Sequence, residues 1–375
     1  MIIKSFEGLR GTCALIVALA HFGVVICQTH FFTRPALAVE VFFLISGFVL
    51  AKAYSEKVMG GNFSFKHYFL RRLFRLYPLH LFCLLALLAL YAFATVHSNY
   101  YESGIWSIDN FPIIDDHRNY KDGYYYTFLI NLFFLQGTGL NISDATWVYP
   151  SWSVGAEFFV CLLLFPLYKY MSTISRLIVV ACLFIGSYFI LIINVNNLGG
   201  HSSNLYGFLS LGLLRVTGGF FLGVVLFEIK KVLSIETNNL IFQLMDILLV
   251  VMLISFIGFL KFPYIDYYAI LLITPLVFIF SYENSFFANV FSNKLMCWLG
   301  ELSYSIYLNH VFVIGCFQYL SIKDYLVQSF GNFVGLLLCT VAYIISLITM
   351  SFYTHKYIEK PLRTSLYRTL DSKSK

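Results

Sequence analysis

The chain has 375 residues and a mass of 43.1 kDa; 59% of its positions are apolar, 12% are charged, and the mean hydropathy is +0.77. Soluble domains carry about 25% charged residues, so most of this surface faces lipid rather than water. The net charge of +6 implies no nucleic-acid partner, because basic residues gathered on one membrane face contact anionic membrane lipids.

Runs such as 11–33, 76–101, 177–214 and 325–355 contain no formal charge and exceed the roughly 20 residues a helix needs to cross the hydrocarbon core. Lipid offers the backbone no hydrogen-bond partners, so such runs are helical. A barrel is excluded because its strands would alternate apolar and polar residues. The expected fold is therefore an all-α, polytopic membrane bundle.

At the N-terminus, Lys4 precedes an apolar run, and Ala36, Leu37 and Ala38 imitate a signal-peptide cleavage site. The apolar run restarts at once, so residues 1–54 read as a retained helical hairpin. In chain order the expected spans are 11–28, 36–54, 76–96, 150–168, 176–194, 207–227, 241–260, 265–281, 300–320 and 331–355, ten in all. The window Tyr124 to Gln136 is too short for a span and reads as an interfacial or re-entrant helix inside a 97–149 extracytoplasmic loop. Residues 1–365 form one membrane domain and 366–375 a short solvated cytoplasmic tail.

Ten spans put both termini on one side. That side holds nineteen of the 25 Lys and Arg, whereas the 97–149 loop is acidic, with Glu102, Asp109, Asp115, Asp116, Asp122 and Asp144. The basic side is cytoplasmic. Eight cysteines lie in or beside apolar runs with no Cys-x-x-Cys pair, and read as small buried hydrophobes rather than a disulfide framework or metal site.

Ionisable groups at membrane depth cost several kcal/mol unless they meet a cavity or a partner. Here they are His21, Glu40, Glu157, Arg215 and His310, with Asp246 nearer a helix end. Arg10 and His21 are eleven helical steps of about 100° apart, which returns to within about 20° of one face, roughly 16 Å along the axis. His21 suits a general base, and Glu40 or Glu157, at comparable depth, suits the carboxylate that orients it. Packing between helices is the bland alternative for such a histidine.

Arg71, Arg72 and Arg75, before Pro78, make a donor cluster suited to phosphates. Ser46 and Gly47, small among Phe42, Phe43, Ile45 and Phe48, permit close approach of a helix or ligand. Pro150, Ser151, Trp152 and Ser153 open a helix that carries Glu157 two turns in. Tyr125, Tyr126, Trp106 and Trp147 suit sugar stacking or an interfacial belt equally.

Taken in order, these elements resemble the acyltransferase 3 family of membrane-bound acyltransferases. The matching residues are Arg10 with His21; Glu40 before Phe42, Phe43, Ser46, Gly47 and Phe48; Arg71, Arg72, Arg75 and Pro78; Trp152, Ser153 and Glu157; Arg215 before Gly219, Phe220, Phe221, Leu222 and Gly223; Ser303, Tyr304, Tyr307, Leu308 and His310; and Glu359, Lys360 and Pro361. The resemblance implies transfer of an acyl group, commonly acetyl, from cytoplasmic acyl-CoA to a hydroxyl of an extracytoplasmic or lipid-linked glycan such as a surface polysaccharide. No metal is implied.

On this reading Arg10, Arg71, Arg72 and Arg75 hold the CoA phosphates, with Ser46 and Gly47 beside the donor. His21, Glu40 and Glu157 are catalytic, and Trp152, Ser153, Arg215, Tyr304 and His310 contact substrate. His310 is also a second candidate base. Direct transfer and a covalent acyl-histidine both fit the residues. The alternative class is a proton-coupled transporter, which also buries Glu, Arg and His; no repeated half supports it.

Overall fold

The computed structural model describes residues 2–27, 34–61, 63–96, 124–140, 147–199, 204–205, 209–233, 240–259 and 263–372. Most of the acidic 97–149 loop, Trp106 included, lies outside them. The first half of the chain forms α1 (Lys4–Cys27), α2 (Pro35–Met59), α3 (Phe65–Val96), α4 (Tyr124–Leu132), α5 (Ser151–Leu162), α6 (Leu164–Tyr170) and α7 (Thr173–Asn194). A two-stranded antiparallel ribbon, β1 (Asn204–Leu205) with β2 (Leu209–Ser210), leads into α8 (Leu211–Val232). Then come α9 (Leu240–Phe259), α10 (Ile265–Phe280), α11 (Phe286–Phe291), α12 (Lys294–Tyr319), α13 (Ile322–Phe330) and α14 (Asn332–Thr354). A π-helical turn, His355–Glu359, joins α14 to α15 (Lys360–Ser372).

The fold is all-α and polytopic, and the described part of each of the ten expected segments overlaps helix. Among the described residues, six helices are long and apolar enough to cross a membrane, or seven if the 57° bent pair α12 and α13 is one span. α9 and α10 supply shorter apolar stretches. The count of ten crossings thus stays a sequence expectation.

Polar caps start several helices. Ser172 Oγ accepts from Ser175 N, Ser210 Oγ from Leu213 N, and Asn293 Oδ1 from Met296 N, each satisfying a donor that the first turn leaves open. Exposure is inverted relative to a soluble protein. α7 turns Ile178, Ile185, Phe189 and Ile193 outward, and α14 does the same with Leu337, Val341, Ile345 and Phe352. Both rows have helical spacing and form lipid-facing stripes, while Glu40, Arg215, Asn309 and His310 are buried inside.

Two seams set the interior. A Cβ on Gly11 of α1 would stand 2.7 Å from Gly300 N of α12, and one on Gly300 would stand 2.2 Å from Glu7 O. Likewise a Cβ on Gly47 of α2 would meet Phe220 O of α8 at 1.8 Å, and one on Gly223 would meet Leu44 O at 2.0 Å. Backbones can touch at these places only because the side chains are absent.

Several details differ from the expectation. α3 begins at Phe65 rather than 76 and runs through Pro78, because its first turns carry the arginines that end an apolar window. The 150–168 span stands as one apolar candidate span, Ser151–Tyr170, with a local break at Leu163 between α5 and α6. The tail is not simply solvated: α15 docks on α3, with Tyr367 Oη donating to Arg71 O at 3.0 Å.

Candidate active site

α1 and α12 are in contact at Gly11 and Gly300. Ten residues further along each, about 15 Å up both axes, come His21 and His310. His21 Nδ1 lies 2.8 Å from His310 Nε2. The two rings are within 16° of parallel with centroids 5.0 Å apart, the separation that an end-to-end N–H···N bond between nearly coplanar imidazoles requires. His310 Nδ1 is 2.8 Å from Tyr307 O, one turn back on α12. His310 is fully buried, whereas His21 keeps part of its surface open. The Tyr149 ring meets His21 edge to face, centroids 5.3 Å apart.

Below the histidines lies a cavity of about 1600 Å³. It follows α2 from Lys57 to Val39 and reaches Ser153 and Tyr307 at its far end. Eighteen residues of helix measure about 27 Å, close to the hydrocarbon thickness of roughly 30 Å. Charged residues of both signs line the near end, Arg10, Lys52, Arg72, Arg75, Lys360 and Arg363 together with Glu7, Glu56, Glu283 and Glu301. Arg10 pairs with Glu7 at 3.5 Å and Arg363 with Glu359 at 3.6 Å, so cations are in modest excess there. Arg75 is close enough to Arg10 and Arg72 for the charges to interact.

On the cavity wall, Glu157 Oε1 accepts from Ser46 Oγ at 2.6 Å and from Arg72 Nη2 at 3.0 Å. Arg72 is only 3% exposed, and its Nε has no hydrogen-bond partner among the described residues. At the far end Ser153 Oγ and Tyr307 Oη are 2.9 Å apart and both reach Pro150 O. The π-helical turn brings Glu359 to the wall, where it accepts from Ser305 Oγ at 3.0 Å and lies 3.1 Å from His355 Nδ1.

The residues expected at the site separate into two groups. Arg10, Arg72, Arg75, Ser46, Glu157, Ser153 and Tyr304 line the cavity, and His21 and His310 pair above it. The remainder are elsewhere. Neither carboxylate is bonded to His21: Glu157 serves Arg72 and Ser46, and Glu40 is sealed in an ion pair. Glu40 Oε1 accepts from Arg215 Nε at 2.8 Å and Oε2 from Tyr188 Oη at 3.1 Å, with both members of the pair buried.

Trp152 is buried with the Arg215 guanidinium 5.1 Å from its ring centroid, so it packs against the ion pair rather than lining the cavity. Arg71 is one residue, about 100° of helix, from Arg72; it stands 5.1 Å over the Tyr367 ring, outside the cavity. Gly47 is consumed by the α2–α8 seam. Tyr304 lines the cavity, but its hydroxyl donates to Leu76 O at 2.6 Å. Asp246 is buried and accepts from Phe287 N at 2.7 Å, holding the start of α11. Tyr125 is exposed, while Trp147 is buried and donates to Thr127 Oγ1 at 3.2 Å.

The His21–His310 pairing was not anticipated. Its one sequence signal is the shared ten-residue interval from Gly11 to His21 and from Gly300 to His310. Lys360, expected only as a motif residue, and Arg363, which no motif marks, also line this end. Among the described residues, no group of three or more His, Cys, Asp or Glu could hold a metal ion.

A family model described as "Acyltransferase domain", the acyltransferase 3 type, matches residues 3–352. The chain belongs to this family and is a multi-pass membrane acyltransferase. It is also similar to "Protein 2 in picA locus" of Rhizobium radiobacter, at 35% identity over 161 residues, which cover 41% of this chain and 76% of that protein. No solved structure matches.

Proposed function

We propose that this acyltransferase moves an acyl group, acetyl in the simplest case, from cytoplasmic acyl-CoA to a hydroxyl of an extracytoplasmic or lipid-linked glycan such as a surface polysaccharide, in the bacterial inner membrane. The observation that carries the reading is the cavity, which joins a charged entrance with cations in excess to a polar end at Ser153 and Tyr307, one helical turn short of His310 and its partner His21, neither of which lines it. At about 1600 Å³ it exceeds the roughly 300–1,000 Å³ of a pocket for one drug-sized ligand, so a long donor and part of an acceptor fit together.

Arg10, Arg72 and Arg75 bind the CoA phosphates, joined by Lys360 and Arg363 from the neighbouring α15. The Glu157–Ser46 pair sits where the pantetheine arm passes and accepts from its amide N–H groups. At the far end His21 takes the proton of the acceptor hydroxyl. The oxygen attacks the thioester carbonyl, the C–S bond breaks, and the His21 proton passes to the departing thiolate, giving an ester and free CoA. Glu40 holds Arg215 and the α2–α8 seam rather than the imidazole.

The test supplies acetyl-labelled acetyl-CoA to membranes containing the chain and to matched empty membranes, and scores free CoA together with label in the glycan and lipid fractions. Linked gains in thiol and ester support the reading. Label that crosses the membrane without thiol release would identify a transporter instead.

A further inference from the structure

We infer that His310 is a positioning residue that holds His21 in the tautomer with the proton on Nδ1, leaving Nε2 as the atom that deprotonates the acceptor. The inference rests on the proposed acyl transfer and on four atoms. Tyr307 O is a carbonyl oxygen and can only accept, so His310 Nδ1, 2.8 Å away, carries a proton and donates it. Among the described residues no carboxylate is bonded to either ring, and an imidazolium in the buried His310 would be a charge without a counter-ion there. His310 is therefore neutral, and its Nε2 presents a lone pair. His21 Nδ1, 2.8 Å from that lone pair, must in turn be protonated and donate. That leaves the lone pair of His21 on Nε2, which has no partner among the described residues, on the ring that is partly open.

The chain of donors runs one way, from His21 to His310 to a backbone carbonyl that cannot rotate. A carboxylate fills this orienting place in many hydrolases; here a second imidazole does so, itself fixed by α12. When Nε2 takes the hydroxyl proton, His21 becomes a cation that keeps its Nδ1–H···N bond to His310, which shares the charge. Passing that Nε2 proton to the CoA thiolate restores the starting tautomer, with no net gain or loss of protons. The glycine contact at Gly11 and Gly300 sets the register of the pair, because it fixes the two helices ten residues before each ring.

The two nitrogens of His310 can be separated by substitution. In His310→Gln the side-chain amide reaches the Nε2 position and its oxygen accepts from His21. In His310→Asn the amide reaches only the Nδ1 position, which preserves the bond to Tyr307 O and leaves His21 Nδ1 unpaired. Full-length protein in native membranes is assayed for acetyl-CoA-dependent thiol release and ester formation, with thermal stability as the folding control. The expected result is that H310Q keeps most of kcat, while H310N loses on the order of 10²- to 10⁴-fold in kcat with KM for acetyl-CoA unchanged.

Equal activity of the two folded variants, whether both high or both lost, overturns the inference. If H310N does not fold, H310Q alone decides: activity near wild type supports the inference and loss overturns it. His21→Ala distinguishes the levels, since an active H21A enzyme overturns the base assignment itself, whereas a dead H21A beside a fully active H310N overturns only the role of His310.

Discussion

Arg215 and Glu40, 175 residues apart in sequence, form an ion pair of 2.8 Å with both side chains buried. Removing one member of such a pair leaves an uncompensated charge and costs about 3–5 kcal/mol, while exchanging both for apolar residues of similar volume is often neutral. Glu40→Leu and Arg215→Met are each expected to lower stability by that amount, and the double variant to recover most of it. Thermal unfolding of the detergent-extracted protein measures this, and a double variant no more stable than either single one would contradict the pairing.

The neighbours Ser46 and Gly47 face different structures, which separates binding from assembly. Ser46→Ala removes a donor to Glu157 and is expected to raise KM for acyl-CoA with little effect on stability. Gly47→Ala places a Cβ against Phe220 O, and overpacking of this kind costs about 1–3 kcal/mol. Its expected effect is loss of folded protein in the membrane, read by thermal denaturation, with the surviving fraction retaining a normal KM.

Arg71 and Arg72 offer a similar contrast. A charge-assisted hydrogen bond to phosphate is worth about 1.5–3 kcal/mol, so Arg72→Gln is expected to weaken acyl-CoA binding by roughly 10- to 100-fold. Arg71→Gln, which alters the contact with Tyr367 outside the cavity, is expected to leave that affinity unchanged. Titration with a non-hydrolysable CoA thioether checks both, and equal losses would show that the cluster acts without regard to helix face.

The comparison of Arg71 with Arg72 also shows what the sequence can and cannot convey. Apolar runs reveal helices and the depth of each ionisable residue, because lipid penalises charge at depth. They place Arg10, Arg72, His21, Glu157 and His310 at useful heights. They say less about azimuth, so a cluster of three arginines looked like one site until the helix turned Arg71 away. Helix ends blur for the same reason: the charged first turns of α3 depress hydropathy although the backbone is already helical at Phe65. The pairings Glu40 with Arg215 and His21 with His310 depend on which helices touch, and that is set by glycine seams between segments distant in the chain.

The role proposed for His21 is acyl transfer at the far end of a cavity filled from its basic side. The most direct measurement compares native protein and His21→Ala in the same membranes supplied with labelled acetyl-CoA, recording free thiol and esterified label. The account predicts that both signals fall to the level of empty membranes in H21A while the variant still inserts, unfolds at the native temperature and binds the CoA thioether with native affinity. Ester formation by a folded H21A protein at the native rate would contradict it.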